Sequence, residues 1–420
     1  MNLRNEFKFV FNLVSKGQYT LYISVVEKVS YLIIFAILAR VANTSEYGLI
    51  ITIFAFSNIL TAFLNLGLGI NIQKEVSLIG EDINDILSNT FFIKLISFPI
   101  FIGIMFVYLN VFLDVSNLFL IIPLAVYLAS FQEILNRGLY GQTKFKQSFL
   151  ALVASRLFLL ALIGTIFFFN PNHFYILAGY LAGILFYQFL LSKTFVDLTG
   201  FKIQFSFDPK MIKKIMLNSF PLGIGIFSVF VYDKVDVVVI QSFLSNELVA
   251  FYAIAYSIYK IPSIVPGVVL IPFFSNIVES FKKNRVVDKK QIIFIGISIF
   301  ILSLLVGLLV YSFSDLLIKI IYGDQFAVSK AYLIVLVIAL PGLFLNNFTG
   351  TLLNAVNMQK NQAIGTTVGV CVNLLLLFLL IDVYGVWAAV FSTIVSEFLV
   401  FFIQLLFILK YREILFSGNI

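Results

Sequence analysis

The chain has 420 residues, 61% hydrophobic and only 12% charged, with a formal net charge of +7. A soluble fold of this size cannot enclose that much apolar surface, so the composition excludes a soluble enzyme or carrier and specifies an integral membrane protein. One cysteine, Cys371, and one histidine, His173, exclude an intrachain disulfide and a Cys/His metal centre.

Apolar windows bounded by charges, Gly, Pro and Asn predict twelve membrane spans. They cover 17–41, 47–71, 88–110, 118–140, 147–169, 174–195, 216–243, 248–276, 291–313, 328–352, 363–382 and 385–409. The first run is long and lacks a small-residue cleavage motif, so no cleavable signal peptide is expected. An even number of spans puts both termini on one side. The N-terminus and the loops on its side hold most of the bases: Arg4, Lys8, Lys16, Lys74, Arg137, Lys144, Lys146, Lys193, Lys202, Lys210, Lys213, Lys214, Lys282, Lys283, Arg285, Lys289, Lys290, Lys360, Lys410 and Arg412. The opposite loops hold Arg40, Lys319 and Lys330. The positive-inside rule therefore predicts cytoplasmic termini. The charge surplus is a topology signal and not a footprint for nucleic acid.

In the first span, Glu27 and Lys28 lie near the bilayer centre, and Ser24, Lys28, Tyr31 and Phe35 share a face by helical spacing. Either other helices neutralise Glu27 and Lys28, or Lys28 faces a lumen that accepts an anionic group. Lys94 in the third span is near enough to its cytoplasmic end to snorkel, and no role is expected for it. In the fourth span Glu133 and Arg137 have the i, i+4 order that stabilises a helix and read as a structural pair. Arg156 lies roughly 14 Å into the fifth span by helical rise. It either faces a lumen, where a guanidinium matches phosphate oxygens, or pairs with Glu133 or Glu397. His173, in the turn before the sixth span, reads as a solvated loop residue.

The longest hydrophilic segment, Ser192–Leu217, falls near the midpoint. It reads as a cytoplasmic linker (196–215) between an N-terminal six-helix lobe (1–195) and a C-terminal one (216–420). Leu139–Ile163 and Leu352–Leu380 echo one another: a short polar turn, then a helix of small residues and leucines. That suggests a parallel internal repeat.

The seventh and eighth spans carry the densest intramembrane charge. Asp233 and Asp236 are three apart and point to one side, with Lys234 elsewhere. Such carboxylates bind a proton or Na⁺, or else neutralise bases across a cleft. Tyr252, Tyr256 and Tyr259 form a stripe beside Lys260. It suits sugar rings, and is also ordinary at a membrane interface, where Tyr252 is expected. Pro262, Pro266 and Pro272 break the eighth span. Glu397 sits alone in the last span and needs a partner, as a coupling site or a structural one. No Gly-rich phosphate loop with a following Lys-Ser/Thr is found, so ATP is not expected to drive the protein directly.

Leu38-Ala39-Arg40 followed by Glu46-Tyr47-Gly48 resembles the end of the first helix and start of the second in polysaccharide flippases of the Wzx type. These belong to the multidrug/oligosaccharidyl-lipid/polysaccharide (MOP) exporter superfamily. Pro221, Asp233, Asp236, Glu247 and Tyr252 are similar to positions of that family's seventh and eighth helices; Ala250 and Phe251 stand where a Gly is usual. The resemblance implies an all-α integral membrane fold with twelve transmembrane helices in two six-helix, MATE-like lobes around a central cleft. It implies a flippase and not an enzyme, in the bacterial cytoplasmic (inner) membrane. It implies an undecaprenyl-pyrophosphate-linked oligosaccharide as cargo, for O-antigen or capsule assembly, and no cofactor. Lys28, Arg156, Lys234, Lys260, Tyr31, Tyr256 and Tyr259 are the candidate substrate-binding residues. Glu27, Asp233, Asp236 and Glu397 are the candidate ion-coupling residues. No catalytic or metal-binding residue is expected. Candidate partners are the lipid-linked oligosaccharide, membrane lipids, a coupling cation (H⁺ or Na⁺) and polysaccharide-assembly proteins. The alternatives are a multidrug or cation antiporter of the related MATE branch, which would need acids to dominate the cleft, and a polysaccharide polymerase, which would carry a large extramembrane loop.

Overall fold

A backbone in hydrocarbon has no water to bond, so apolar segments must satisfy their own amides as helices. The computed structural model of the chain describes residues 3–79, 83–200, 207–284 and 287–413. Lys202 and Arg285, and the side chains of Arg4, Lys8, Lys16, Pro272, Lys282 and Lys283, lie outside that description. The described residues form α1 (Leu3–Val41), α2 (Thr44–Asn65), α3 (Leu68–Ile79), α4 (Asn84–Val107), α5 (Ile121–Gly141), α6 (Phe145–Phe169), α7 (His173–Thr199), α8 (Pro209–Phe243), α9 (Asn246–Lys260), α10 (Ile264–Asn284), α11 (Lys289–Ile321), α12 (Ser329–Leu336), α13 (Leu340–Ala355), α14 (Gln359–Tyr384) and α15 (Val386–Lys410). No strand occurs among them.

Among the described residues, twelve helical stretches are long and apolar enough to cross a membrane, as predicted. The eighth, Asn246–Gly267, joins α9 to α10 through a 3₁₀ turn at Ile261–Ser263. Pro262 lies in that turn, where its missing N–H would otherwise interrupt the α-helical ladder. The tenth, Ser329–Ala355, is likewise interrupted at Val337–Ala339, just before Pro341. Local chemistry starts and stops other helices. Asn172, Ser245 and Asp288 each accept a backbone N–H as N-caps of α7, α9 and α11. Gly200, with φ +66°, ends α7.

The second span departs from expectation. It ends at Asn65, six residues early, because Leu66 and Gly67 take positive φ of 42° and 77°. The short helix α3 then follows. A β-carbon on Gly67 would meet the backbone N of Gly223 at 2.6 Å, and one on Gly223 would meet the carbonyl carbon of Leu66 at 2.3 Å. Backbone meets backbone here, and no side chain fits between them.

The contacts divide the chain into two units. Unit 1 comprises Met1–Asn43 and Ile50–Val235; unit 2 comprises Thr44–Leu49 and Asp236–Ile420. In unit 1, α7 packs on α6 and α5, α1 on α6, and α3 on α5. Its core gathers Ile72 and Val76 of α3, Leu135 and Leu139 of α5, Leu152 of α6, and Tyr187, Leu191 and Phe195 of α7. In unit 2, α15 packs on α14 and α13, α12 on α9, and α13 on α10 and α11.

The two turns that echo in sequence also match in detail. Lys144 N–H donates to Leu139 O at 2.8 Å, and Met358 N–H to Leu353 O at 2.8 Å. Thr143 and Asn357, the residues just before, take left-handed φ of 60° and 64°. Each turn leads into a long hairpin, α6–α7 in unit 1 and α14–α15 in unit 2.

Candidate functional site

Each unit buries polar and charged side chains at membrane depth, where an ionisable group costs roughly 2.5–3.5 kcal/mol on insertion scales unless protein or water receives it. In unit 1, α6 carries Arg156 inward, 4% exposed. Its guanidinium carbon stands 5.0 Å from the ring centroid of Tyr31 on α1 and 5.9 Å from that of Tyr187 on α7. The electron-rich ring faces offset part of the desolvation. Glu27 of α1 is within electrostatic reach, but no carboxylate among the described residues makes an ion pair with Arg156. Its Nε donor is buried and has no hydrogen-bond partner among them. Both carboxylates named in the sequence as alternative partners are engaged elsewhere. Glu133 pairs with Arg137 at 3.7 Å, the expected i, i+4 contact, and Glu397 is bound within unit 2.

Tyr31 lies against Tyr180 and Phe35 as well as Arg156. Lys28, one helical turn away, is exposed, so the face expected to hold Ser24, Lys28, Tyr31 and Phe35 together is divided between the unit's interior and its surface. His173 is the first residue of α7, with its ring stacked on Phe119, and is not a loop residue.

Lys94 corrects the sequence reading outright. It does not snorkel: it is 0% exposed. It donates to Asn65 Oδ1 of α2 and Ser130 Oγ of α5, and stands 4.3 Å from the Tyr127 ring centroid. Because α4 starts at Asn84, Lys94 lies ten residues, roughly 15 Å, from the helix start. Its stem cannot span that length.

Unit 2 gathers residues from α9, α13 and α15. Glu397, 3% exposed, has the partner it needs. Asn346 Nδ2 donates to its Oε2 at 2.6 Å and to its backbone O at 2.8 Å. Tyr259 O–H donates to Oε1 at 3.4 Å, and Lys260 Nζ lies 3.8 Å from the same oxygen. Tyr259, expected along a substrate path, is fully enclosed at 0% exposure. The tyrosine stripe is real: ring centroids are 5.6 Å apart from Tyr252 to Tyr256 and 5.7 Å from Tyr256 to Tyr259. Tyr256 alone of the three keeps partial exposure, and Lys260 Nζ sits 5.2 Å from its ring centroid. Tyr252 is 1% exposed and donates to Asp236 Oδ2 at 2.6 Å.

The two aspartates of α8 have separate partners. Asp233, partly exposed, pairs with its neighbour Lys234 at 3.0 Å. Asp236 is buried and held by Tyr252. They do not form one carboxylate pair. No cluster of three or more metal-ligating side chains occurs among the described residues.

Residues 13–278 match the family described as polysaccharide biosynthesis protein. The chain belongs to that family. With its twelve apolar helices, this polysaccharide biosynthesis protein is a multi-pass membrane protein. Similar solved structures include the lipid II flippase MurJ in an inward closed conformation, 16% identical, with a TM-score of 0.70 over 96% of this chain and 90% of that one. An inward-facing multidrug-resistance MATE family transporter of the MOP superfamily is 15% identical, with a TM-score of 0.66 over 95% and 96%. A mutant of the Vibrio cholerae MATE transporter VcmN is 11% identical, with a TM-score of 0.62 over 96% of both chains. At these identities they show a shared fold. No curated protein sequence matches. The resemblance to the MOP superfamily holds, as does the all-α, twelve-helix fold.

The family-like stretch Glu46-Tyr47-Gly48 has a packing explanation. These residues start α2 but belong to unit 2. Tyr47 is buried against Phe326, with ring centroids 5.5 Å apart. Gly48 lies directly on the start of α9, where a β-carbon would fall 1.7 Å from Asn246 O.

Proposed function

We propose that this polysaccharide biosynthesis protein flips an undecaprenyl-pyrophosphate-linked oligosaccharide from the cytoplasmic to the outer leaflet of the bacterial cytoplasmic membrane, for O-antigen or capsule assembly. The observation that carries the reading is Arg156. A buried guanidinium that rests on tyrosine rings, with no ion-pair partner and an unfilled donor among the described residues, is suited to an anion that arrives and leaves. Pyrophosphate presents the planar oxygen pairs that a guanidinium grips bidentately. Lys28, Lys234 and Lys260 add cations of decreasing exposure. Tyr256 offers a partly exposed ring to sugar. The isoprenoid tail stays in lipid while the head group passes by alternating access.

Both termini lie in the cytoplasm on this reading. Of the bases assigned to the opposite side, Lys319 and Lys330 both face Asp315, at 3.1 and 3.7 Å, which weakens the charge there further. The chain forms and breaks no covalent bond. It delivers its product to polysaccharide-assembly proteins and draws on a gradient of H⁺ or Na⁺. Asp236 and Glu397, both buried, are favoured over Glu27 and Asp233 as coupling carboxylates.

Arg156→Gln is expected to lower surface polysaccharide at least tenfold, and Arg156→Lys several-fold, because an ammonium keeps the charge and loses the fork. Immunoblots of surface glycan at matched protein levels read this. Wild-type export by Arg156→Gln would remove Arg156 from the cargo path.

A further inference from the structure

Lys94 is unused by the cargo reading, and its surroundings are unusual for a buried cation. Its hydrogen bonds go to neutral oxygens, Asn65 Oδ1 and Ser130 Oγ, and its other neighbours are the rings of Tyr127 and Phe131. Burial of a charge is costly unless it is paired, and here no carboxylate among the described residues touches it. The partners tolerate both forms of the amine. Asn65 Oδ1 accepts an N–H from either. Ser130 O–H donates to Tyr127 O at 2.5 Å while its oxygen accepts from the ammonium. Rotation about its C–O bond would let it donate to a neutral amine instead.

Asn65 and Ser130 also line a cavity of about 150 Å³ within unit 1, together with Asn58, Thr61 and Glu133. The cavity is polar enough and large enough for water. Thr61 Oγ1 is buried without a partner among the described residues. Glu133 of α5 is the charged group that acts on Lys94, and it is itself held by Arg137. α5 also presents Tyr127, whose hydroxyl bonds the Lys94 carbonyl at 2.6 Å and Ser97. From α2 the facing group is the neutral Asn65.

We propose that Lys94 is a reversible proton-binding site of unit 1, loaded and emptied through the cavity behind Asn65 and Ser130. In the releasing step an N–H bond of the ammonium breaks, its electron pair stays on Nζ, and the proton passes to the cavity, where Glu133 is the carboxylate that receives it. Loading is the reverse. Proton binding is a property of the unit alone; its use to drive transport rests on the flippase reading.

The test has two arms. The first is NMR of the full-length protein in detergent with lysine labelled at ¹⁵Nζ, the Lys94 signal being the one missing from Lys94→Met. The signal is expected to change from ammonium to neutral amine within the pH range where the protein stays folded. In Asn65→Asp, which puts a carboxylate against Nζ, it should remain ammonium throughout. A wild-type signal fixed in either form overturns the site. The second arm is transport of lipid-linked oligosaccharide in proteoliposomes with and without an imposed pH gradient. Lys94→Met, Lys94→Arg and Asn65→Asp are each expected to lose the stimulation by the gradient, about tenfold or more. Wild-type stimulation in all three overturns the coupling role. Absence of any transport by the wild type overturns the flippase reading, and the NMR result still decides the site.

Discussion

Glu397→Ala is expected to destabilise unit 2 by about 2 kcal/mol, because it removes the buried carboxylate that accepts from Asn346 and Tyr259. The carboxylate binds α15 to two other helices through Asn346 of α13 and Tyr259–Lys260 of α9. Alanine leaves Asn346 Nδ2 with the backbone carbonyl of residue 397 and takes the Oε1 contact from Tyr259 and Lys260. Glu397→Gln keeps an acceptor for Asn346 and Tyr259, so it should cost only about 1 kcal/mol, the net worth of one hydrogen bond. The single tryptophan, Trp387, lies in α15 on the ring of Tyr332 and reports on this unit. Denaturation in detergent followed by its fluorescence should give midpoints in the order wild type, Gln, Ala. Equal midpoints for wild type and Ala would mean that the cluster holds nothing together. If the Gln variant folds like wild type but loses its dependence on a cation gradient, Glu397 is a coupling group and not only a tie.

Gly48→Val is expected to be at least as damaging, about 3 kcal/mol or more, the upper range for overpacking. The clash is with a backbone carbonyl at 1.7 Å, between residues that both belong to unit 2, and a carbonyl at a helix start cannot swing aside as a side chain does. Gly103→Ala is the control, since nothing lies within 4 Å of its added methyl. That change should be neutral or slightly stabilising, as alanine is the better helix former. Protein yield and thermal midpoint in detergent separate the two. A Gly48 variant as stable as the control would show that α2 does not start in this close contact.

The fold was largely legible because hydropathy reads which segments cannot be in water, and that decides a helical membrane protein almost completely. All twelve spans were found among the described residues; most limits lie within four residues of those observed, but the ends of the second, eighth and ninth spans and the start of the seventh differ by six to nine. The chief miss was α3. Gly67 was present as a signal, but a left-handed Leu66 is not written in leucine, and the apolar run continues across the turn.

The sites were legible only as a set of residues. Sequence places Glu397, Lys260 and Tyr259 at membrane depth but does not bring α9 and α15 together, so Glu397 looked solitary. Periodicity put Asp233 and Asp236 on one side; it did not show that Lys234 and Tyr252 would each take one. Lys94 was missed for a more specific reason. Snorkelling was judged from an apolar boundary at residue 88, and the helix begins four residues earlier. The polar side chains that receive it, Asn65 and Ser130, come from two other helices. Gly48, in contrast, stood out through family resemblance, and the structure supplies its reason.

The central claim concerns cargo, and the pool of undecaprenyl-pyrophosphate-linked oligosaccharide in cells lacking this protein tests it most directly. The pool should rise and remain shielded from a hydrolase added outside spheroplasts, while surface polysaccharide disappears and returns with the wild-type chain but not with Arg156→Gln. An unchanged pool and intact surface glycan, with new sensitivity to cationic dyes, would contradict the account and point to a cation antiporter.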